Sequence, residues 1–120
     1  AGVALDILEA VNSTTTKRIV VSMSNNGTLD FLRPDDVIEI SCDLSKDGLK
    51  PVTPKHVPTA QKNMIASVKE YERLAVAAIL QRDKSLAIRA LMAHPLVGSY
   101  SLAKTLVEAY LDDKQFADWR

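Results

Sequence analysis

The pattern of apolar and polar positions is most regular between Lys62 and Gln81. Apolar residues recur there with the three-and-four spacing that brings them to one face of a helix: Met64, Ile65, Val68, Tyr71, Leu74, Ala75, Ala78 and Ile79. Most charged residues fall on the opposite face, and the Ala-rich second half has high helix propensity. The pattern predicts one long helix over this stretch, which we expect to be the central element of the fold.

Shorter patterns come before this helix. They predict an amphipathic helix and three strands, at Val3–Val11, Ile19–Met23, Val37–Cys42 and Leu49–Val52. Asn12 suits the end of the first helix. Asp47 and Gly48 are typical of a hairpin turn, which would lead into the last of the strands. Three prolines then interrupt the chain, so we expect an extended connector over Thr53–Thr59.

Two further helices are predicted after the long one. Asp83 is a suitable N-cap for a helix over Lys84–Ala93, which Pro95 would end. Ser99 or Ser101 suits the N-cap of a last helix, whose apolar residues are Leu102, Ala103, Leu106, Val107, Tyr110 and Leu111. The polar and aromatic residues after this helix are expected to form a fraying tail, unless Phe116 and Trp119 dock on another part of the protein.

The order of these elements indicates an α+β fold. A helix is followed by a small antiparallel sheet and then by three helices. Because one face of the sheet is apolar, we expect the long helix to cover it. With 120 residues, of which 47% are hydrophobic, the chain is long enough to bury one core. We therefore expect a single domain over residues 1–120.

Composition excludes several classes of function. Lys plus Arg and Asp plus Glu number 15 each, and only 5% of residues are aromatic, which argues against a nucleic-acid binder. No apolar stretch approaches the roughly 18 residues of a membrane-spanning helix, so we expect no membrane partner. Cys42 is the single cysteine, which excludes an internal disulfide and a zinc site with several thiolates. This usage favours a cytoplasmic protein.

The start of the chain indicates a piece of a longer protein. Ala1 stands where an initiator Met would be expected, and a helical pattern begins within a few residues. We therefore expect that the sequence was cut from a larger chain just before or inside a helix.

Several short motifs carry a family resemblance. They are NNG at Asn25–Gly27, PDDVIEI at Pro34–Ile40, DG at Asp47–Gly48 with KPV after it, KEYERLAVAAIL at Lys69–Leu80 and AHPLVGS at Ala93–Ser99. In this order they resemble the C-terminal part of glycoside hydrolase family 4, which contains the 6-phospho-α- and 6-phospho-β-glucosidases and α-galactosidases that depend on NAD and a divalent metal. The chain is more distantly similar to the C-terminal domain of lactate and malate dehydrogenases.

The resemblance implies that the parent protein is an enzyme that hydrolyses O-glycosyl bonds of 6-phospho-sugars, such as a 6-phospho-β-glucosidase. The reaction would run by NAD-dependent oxidation, elimination, water addition and reduction, outside the two-carboxylate scheme, with Mn²⁺ or another divalent metal as Lewis acid. Implied partners are a phosphorylated disaccharide and further copies in a homo-oligomer, a dimer or tetramer. Whether the linkage is α or β stays open.

The catalytic parts are expected outside this chain. The sequence contains no G-x-G-x-x-G turn, so the NAD-binding N-terminal half is expected to be missing. The family's metal ligands and its tyrosine base also precede the matching region. We therefore assign no catalytic, cofactor-binding or metal residue, and we expect the chain by itself to be inactive and to bind neither NAD nor metal.

Four residues are candidates for the substrate side or for a subunit interface: Asn25, Asn26, Gly27 and Arg73. The first three fit a solvent-exposed turn, or a loop bordering the active site. Arg73 could form a surface ion pair with Glu70, or bind a substrate phosphate through its guanidinium. An alternative function is an oligomerisation or scaffold module without a role in substrate binding.

Four other residues have a simple structural interpretation. Cys42 and His56 could suggest a metal pair, but no third ligand has usable spacing, and Cys42 is more typical of a small buried residue. His94 is expected to cap the end of the Lys84–Ala93 helix rather than to act in catalysis. Tyr71 lies on the apolar stripe of the long helix and is expected in the core.

Overall fold

A computed structural model describes residues 2–120. Its elements are α1 (Gly2–Asn12), β1 (Lys17–Ser24), β2 (Val37–Ser45), β3 (Gly48–Pro51), α2 (Thr59–Gln81), α3 (Lys84–Ala93), α4 (Tyr100–Tyr110) and a 3₁₀ turn (Lys114–Phe116). This content confirms the predicted α+β class. The chain divides into two compact units, the first ending at Val57 and the second covering Pro58–Arg120. The expectation of a single domain stays a prediction.

The first unit contains an antiparallel sheet with the strand order β1-β2-β3. β1 pairs with β2 from Lys17 opposite Leu44 to Ser24 opposite Val37, so both strands are longer than predicted. The added positions are polar or lie beyond the apolar run, and backbone pairing rather than side-chain hydropathy includes them in the ladder. Alternate β2 residues form the core of the sheet: Ile38, Ile40, Cys42 and Leu44.

Helix α1 packs against this sheet within the first unit. It contacts β1 and β2, and Ala10 is completely buried. At one end Lys17 of β1 forms an ion pair with Glu9 of α1, with Nζ and Oε2 3.2 Å apart. Asn12 is the last residue of α1, as predicted, and its side chain donates to the carbonyl of Leu8. That α2 covers the sheet stays a prediction.

The second unit is built from helices that pack through small residues. α2 contacts α3, and α3 contacts α4. The buried residues of these helices are Ala78, Ala90, Ala103 and Val107. Met64 and Ile79, which the periodicity places on the apolar stripe of α2, are 62% and 63% exposed in this chain. The stripe is therefore buried only in part.

Helix boundaries follow local capping. α2 begins at Thr59, three residues before the predicted start, because the carbonyl of the N-cap residue Pro58 already accepts the backbone N–H of Lys62 at 3.0 Å. Asp83 caps α3 by accepting from the backbone N–H of Leu86, as predicted. Ser99 is the N-cap of α4 and accepts from the backbone N–H of Leu102, which decides between the two serines left open.

The prediction of a fraying tail is wrong. Arg120 donates its backbone N–H to Arg82 and accepts from that of Lys84, over 2.9 and 2.7 Å between nitrogen and oxygen. Phe116 lies between Tyr110 and Trp119, with ring centroids 6.4 and 6.3 Å away. The tail is held because the α2–α3 junction exposes backbone groups that need hydrogen-bond partners.

None of the helices formed by residues 2–120 combines the length and hydropathy that crossing a bilayer requires.

Candidate functional site

The loop between β1 and β2 is organised by the side chain of Asn25. Its amide nitrogen donates to the carbonyls of Leu29, Leu32 and Arg33, at 2.8, 3.3 and 3.1 Å. Its amide oxygen accepts from the backbone N–H of Leu29 at 2.7 Å. Because a carbonyl oxygen cannot donate to the three carbonyls, these partners determine the orientation of the amide. Asn25 is therefore the internal template of this loop.

Asn25 does not lie in a solvent-exposed turn, and that part of the sequence interpretation is wrong. Its residue is completely buried, and its backbone N–H donates to the carbonyl of Asp36 across the loop. The physical reason is that a side-chain amide has two N–H donors and an oxygen acceptor. It can therefore bond loop backbone groups that are not paired within a strand. A substrate-side or interface role for this loop stays a prediction, and it would act through the loop surface.

Asn26 and Gly27 form the exposed tip of the loop. Their φ angles are +44° and +85°, a region that Asn and Gly tolerate better than other residues. No atom outside the neighbouring residues lies within 4 Å of a side chain placed at Gly27. The tip is thus open on its outer side, where another molecule or another part of a parent protein could approach it.

The far end of the loop is closed by Asp36. Its residue is 7% exposed, and its carboxylate accepts from the backbone N–H of Arg33 at 2.9 Å. From the sequence, Asp36 belongs to a turn at Pro34–Asp36, without a predicted bond of its side chain. The usable signal was Pro34 followed by two aspartates, since Asp side chains commonly bond backbone N–H groups two or three residues away in turns.

Arg73 lies on α2 and forms the predicted ion pair with Glu70. The guanidinium Nη1 is 3.0 Å from the Glu70 carboxylate, one helical turn away. The Arg73 side chain is 27% exposed, so part of it packs against neighbouring atoms. An ion pair of this kind at the surface contributes under about 1 kcal/mol. Binding of a substrate phosphate by Arg73 stays a prediction.

An apolar groove lies in the second unit between α2, α3, α4 and the tail. Its volume is about 700 Å³, and aromatic rings form much of its wall: Tyr71, Tyr110, Phe116 and Trp119. Small side chains at Ala75, Ala78 and Ala87 form its base. Tyr110 is 80% exposed at the rim. The groove has few polar groups to orient a polar ligand, so it fits an apolar partner better than a sugar.

The other residues singled out by sequence take structural places. Cys42 is completely buried, with its sulfur 3.6 Å from that of Met23, and His56 is exposed in the connector. Tyr71 is half-buried and meets the His94 ring edge-on, with centroids 4.8 Å apart. His94 is the C-cap residue of α3, but its ring accepts from the Leu96 backbone N–H instead of donating to the last helix carbonyls.

Between Gly2 and Arg120, the structure brings no three His, Cys, Asp or Glu side chains together as metal ligands. The described residues therefore supply no ligand cluster for an Mn²⁺ ion, which needs several oxygen or nitrogen ligands at one point.

The family of this chain is shown by comparison of its sequence with known families. Residues 2–97 match the family described as "Family 4 glycosyl hydrolase C-terminal domain", and the chain belongs to this family. The resemblance stated from the motifs is thereby confirmed.

The relatives are phospho-glucosidases. A 6-phospho-beta-glucosidase of Thermotoga maritima is 36% identical over 93 residues, which are 78% of this chain and 22% of that protein. A probable 6-phospho-beta-glucosidase of Bacillus subtilis is 29% identical over 92 residues, 77% of this chain and 21% of the relative. The chain thus spans less than a quarter of the length of these relatives.

Solved structures agree on the fold. The T. maritima 6-phospho-beta glucosidase, crystallised with manganese, NAD⁺ and glucose-6-phosphate, has a TM-score of 0.75 and 31% identity over 94% of this chain and 28% of that one. A 6-phospho-alpha-glucosidase from gut microorganisms, in complex with NAD and Mn²⁺, has a TM-score of 0.78. Its identity is 19% over 92% of this chain and 26% of that one. At this identity, the similarity is evidence for a shared fold only.

Proposed function

We propose that this chain is the C-terminal domain of a 6-phospho-glucosidase, and that it contributes to the substrate side and to subunit contacts of the parent enzyme. The observation that carries the proposal is the family match over residues 2–97, together with 36% identity to a 6-phospho-beta-glucosidase. The parent's substrate would be a phosphorylated disaccharide with a β linkage. A cytoplasmic location of the parent stays a prediction.

The catalytic groups belong to parts of the parent outside this chain. NAD and Mn²⁺ accompany two of the structural neighbours, and the same cofactors are proposed for the parent. Bound there, they would supply reversible oxidation of the sugar and Lewis-acid stabilisation of negative charge. Residues 2–120 offer no ligand cluster for the metal, so no chemical step is assigned to them.

The proposal is tested by separating the chain from its parent. The full-length parent should hydrolyse a nitrophenyl 6-phospho-β-glucoside when NAD and Mn²⁺ are present. The 120-residue chain under the same conditions should give no turnover above background. Turnover by the chain alone would contradict the placement of the chemistry. If the parent binds both cofactors but does not hydrolyse this compound, the proposed substrate is contradicted.

Arg73 provides a sharper test of the substrate side. If its guanidinium binds the sugar phosphate in the parent, Arg73→Gln should raise KM for the phosphorylated substrate by about tenfold or more, with a smaller change in kcat. Arg89→Gln is the matched control, because Arg89 is an exposed arginine on α3. If both variants change KM by the same small amount, Arg73 does not bind the substrate phosphate.

An oligomerisation or scaffold module without contact to substrate is the second candidate function. It is favoured by the large apolar side chains left exposed in the second unit, among them Ile79, Leu80 and Tyr110. If it applies, Arg73→Gln and changes at the loop tip should leave KM unchanged, while Leu80→Glu should alter the mass of the parent assembly in sedimentation. Unchanged assembly together with altered KM would decide against it.

A further inference from the structure

The tip of the loop between β1 and β2 contains two adjacent residues that can react with each other, Asn26 and Gly27. The backbone nitrogen of a glycine can attack the side-chain carbonyl carbon of the asparagine before it, because glycine has no side chain to block the approach. This reaction makes asparagine a thermolabile residue. It needs water and no residue of another chain, so the local fold decides whether it occurs.

The attacking group, the backbone nitrogen of Gly27, is free of hydrogen bonds within residues 2–120. The turn around it is closed by the N–H of Thr28, which donates to the carbonyl of Asn25 at 2.8 Å. The N–H of Asn26 donates to the carbonyl of Pro34 at 2.9 Å. An unbonded N–H is expected at the third position of a turn whose two central φ angles are positive. The Gly27 nitrogen can therefore lose its proton to water without breaking a bond of the protein.

The attacked group, the side-chain amide of Asn26, is accessible as well. Both residues of the pair are exposed, and no atom outside the neighbouring residues lies within 4 Å of a side chain placed at Gly27. The amide of Asn25 is held by the loop carbonyls, whereas no hydrogen bond to another described residue holds that of Asn26. The Asn26 side chain is thus free to rotate towards the nitrogen that follows it.

The other three asparagines of the chain are held in ways that disfavour the attack. The amide of Asn12 donates to the carbonyl of Leu8, and a serine follows it. Asn25 is completely buried, and its amide makes four hydrogen bonds. Asn63 lies inside α2, where the N–H of the next residue belongs to the helical ladder. The fold therefore singles out Asn26.

The hairpin between β2 and β3 offers a comparison, because Gly48 also follows a residue of the same shape, Asp47. Gly48 pairs with Ser45 in the ladder. Val52 donates its N–H to the carbonyl of Ser41, so Ser41 and, by the alternation of an antiparallel ladder, Ser45 direct their backbone groups towards β3. The N–H of Gly48 therefore lies between the strands, where its proton is held.

We propose that Asn26 is a site of spontaneous deamidation. The Gly27 nitrogen forms a bond to Cγ of Asn26, the bond from Cγ to the amide nitrogen breaks, and the proton of Gly27 leaves with that nitrogen as ammonia. Water then opens the resulting cyclic imide at either of its carbonyls. The products are aspartate and isoaspartate, and nothing is oxidised or reduced. The inference does not depend on the glycosidase activity proposed above, and its test does not measure that activity.

Deamidation would change both the charge and the backbone of the loop. It adds a carboxylate to residues 25–36, which already contain three aspartates and one arginine. Isoaspartate also inserts a methylene group into the backbone between Asn25 and Thr28, the two residues whose hydrogen bond closes the turn. The N–H of Thr28 should then lose its carbonyl partner, and its hydrogen exchange should become faster.

The test compares two asparagine-glycine pairs in one fold. Asp47→Asn in the 120-residue chain creates the second pair, whose glycine nitrogen is bound in the ladder. After incubation in mildly alkaline buffer, peptide mapping by mass spectrometry and enzymatic labelling of isoaspartate follow both positions. Asn26 should deamidate about tenfold or more faster than position 47, because the ladder must open before the Gly48 nitrogen can react. The rate at Asn26 should rise with pH, because the attacking nitrogen must lose its proton.

Two controls separate the fold from the local sequence. In urea that unfolds the chain, both glycine nitrogens are free, and positions 26 and 47 should react at similar rates. Asn26→Gly accepts the positive φ and lacks the amide, so isoaspartate at this position should disappear. Equal rates in the folded chain overturn the proposal, and so does an Asn26 that stays intact. A difference that persists in urea also overturns it, because the neighbouring sequence would then be the cause.

Discussion

The two units of the chain obtain their order in opposite ways. In the first unit a buried amide, Asn25, makes four hydrogen bonds to a loop, and a three-stranded ladder adds its own. In the second unit the buried residues of the helices are three alanines and Val107, while several larger apolar residues are exposed, such as Leu80 at 79% exposure. Hydrogen bonds of a buried side chain thus order the first unit, whereas burial of mostly small apolar residues orders the second.

This difference indicates which substitutions each unit tolerates. A loop that depends on one polar side chain is destabilised when that side chain is lost, because several partly buried groups lose partners together. A helix contact built on alanines fails when a side chain becomes larger, because the backbones are already close. Truncation should therefore be most harmful in the first unit, and enlargement in the second.

The largest effect is expected for Asn25→Ala. The variant leaves the Leu29 N–H and the carbonyls of Leu29, Leu32 and Arg33 without their side-chain partner in a partly buried loop. We expect a loss of about 2–4 kcal/mol in the free energy of unfolding, measured by urea titration. Asn26→Gly is the matched control, because glycine accepts the positive φ of this exposed position. If both variants lost the same free energy of unfolding, the hydrogen bonds of the Asn25 side chain would not be what orders the loop.

The next effect tests the helical unit. Ala90 on α3 is 2% exposed, and Ala90→Leu should cost about 1–3 kcal/mol through overpacking against its neighbours. Ala109→Leu on α4 makes the same change at an exposed position and should alter the free energy of unfolding by about 0.5 kcal/mol or less. Thermal unfolding measures both. If Ala90→Leu were as stable as Ala109→Leu, the overpacking would be contradicted and the larger side chain would be accommodated in the apolar groove that Ala90 also lines.

A smaller effect separates two serines at the start of α4. Ser99 accepts the Leu102 N–H, so Ser99→Ala should destabilise the chain by about 1 kcal/mol. Ser101 lies inside the first turn with its hydroxyl near that of Ser99, and Ser101→Ala should cost less than half as much. Urea unfolding of the two variants in parallel decides the matter. The reverse order would assign the cap to Ser101.

The smallest effect is a pH dependence within the first unit. The Arg18 guanidinium bonds the carboxylate of Asp43 at 2.9 and 3.1 Å and holds its pKa below the ordinary value. A carboxyl with a lowered pKa in the folded state stabilises the fold above its unfolded pKa, and this contribution is lost as the pH falls through the folded pKa.

The measurement compares unfolding of the unchanged chain and of Asp43→Asn across the acid range. The two curves should differ above the ordinary pKa of an aspartate and converge at lower pH. Because both partners are exposed, added salt should reduce the difference. Curves that stay parallel down to the most acidic condition would show that this pair does not link folding to pH.

Much of the fold was readable from periodicity and capping chemistry. The long helix, the strands and the Asp83 cap follow from residues that are near one another in sequence, and the structure has them with shifts of a few residues at the ends. The shifts occur where backbone pairing extends β2 to Ser45, and where the hydrogen bond from the Lys62 N–H to the Pro58 carbonyl begins α2 early. Such ends depend on hydrogen bonds that hydropathy does not report.

The candidate site was less predictable. Asn25 was recognised as a turn residue, but its burial depends on three carbonyls that come four to eight positions later. The docking of Arg120 at Arg82 and Lys84 joins residues that are far apart in sequence. No local pattern marks either contact, because backbone carbonyls are present at every residue, and only the folded chain selects which of them need a partner.

By itself the sequence determined the α+β class, the family and the absence of an internal disulfide, since these follow from periodicity, motif order and a single cysteine. Only the tertiary structure decided that Asn25 is internal, that Ser99 is the cap and that Arg120 bonds the backbone of Arg82 and Lys84. The physical reason is that hydropathy acts position by position, whereas satisfaction of polar groups is a property of the assembled chain.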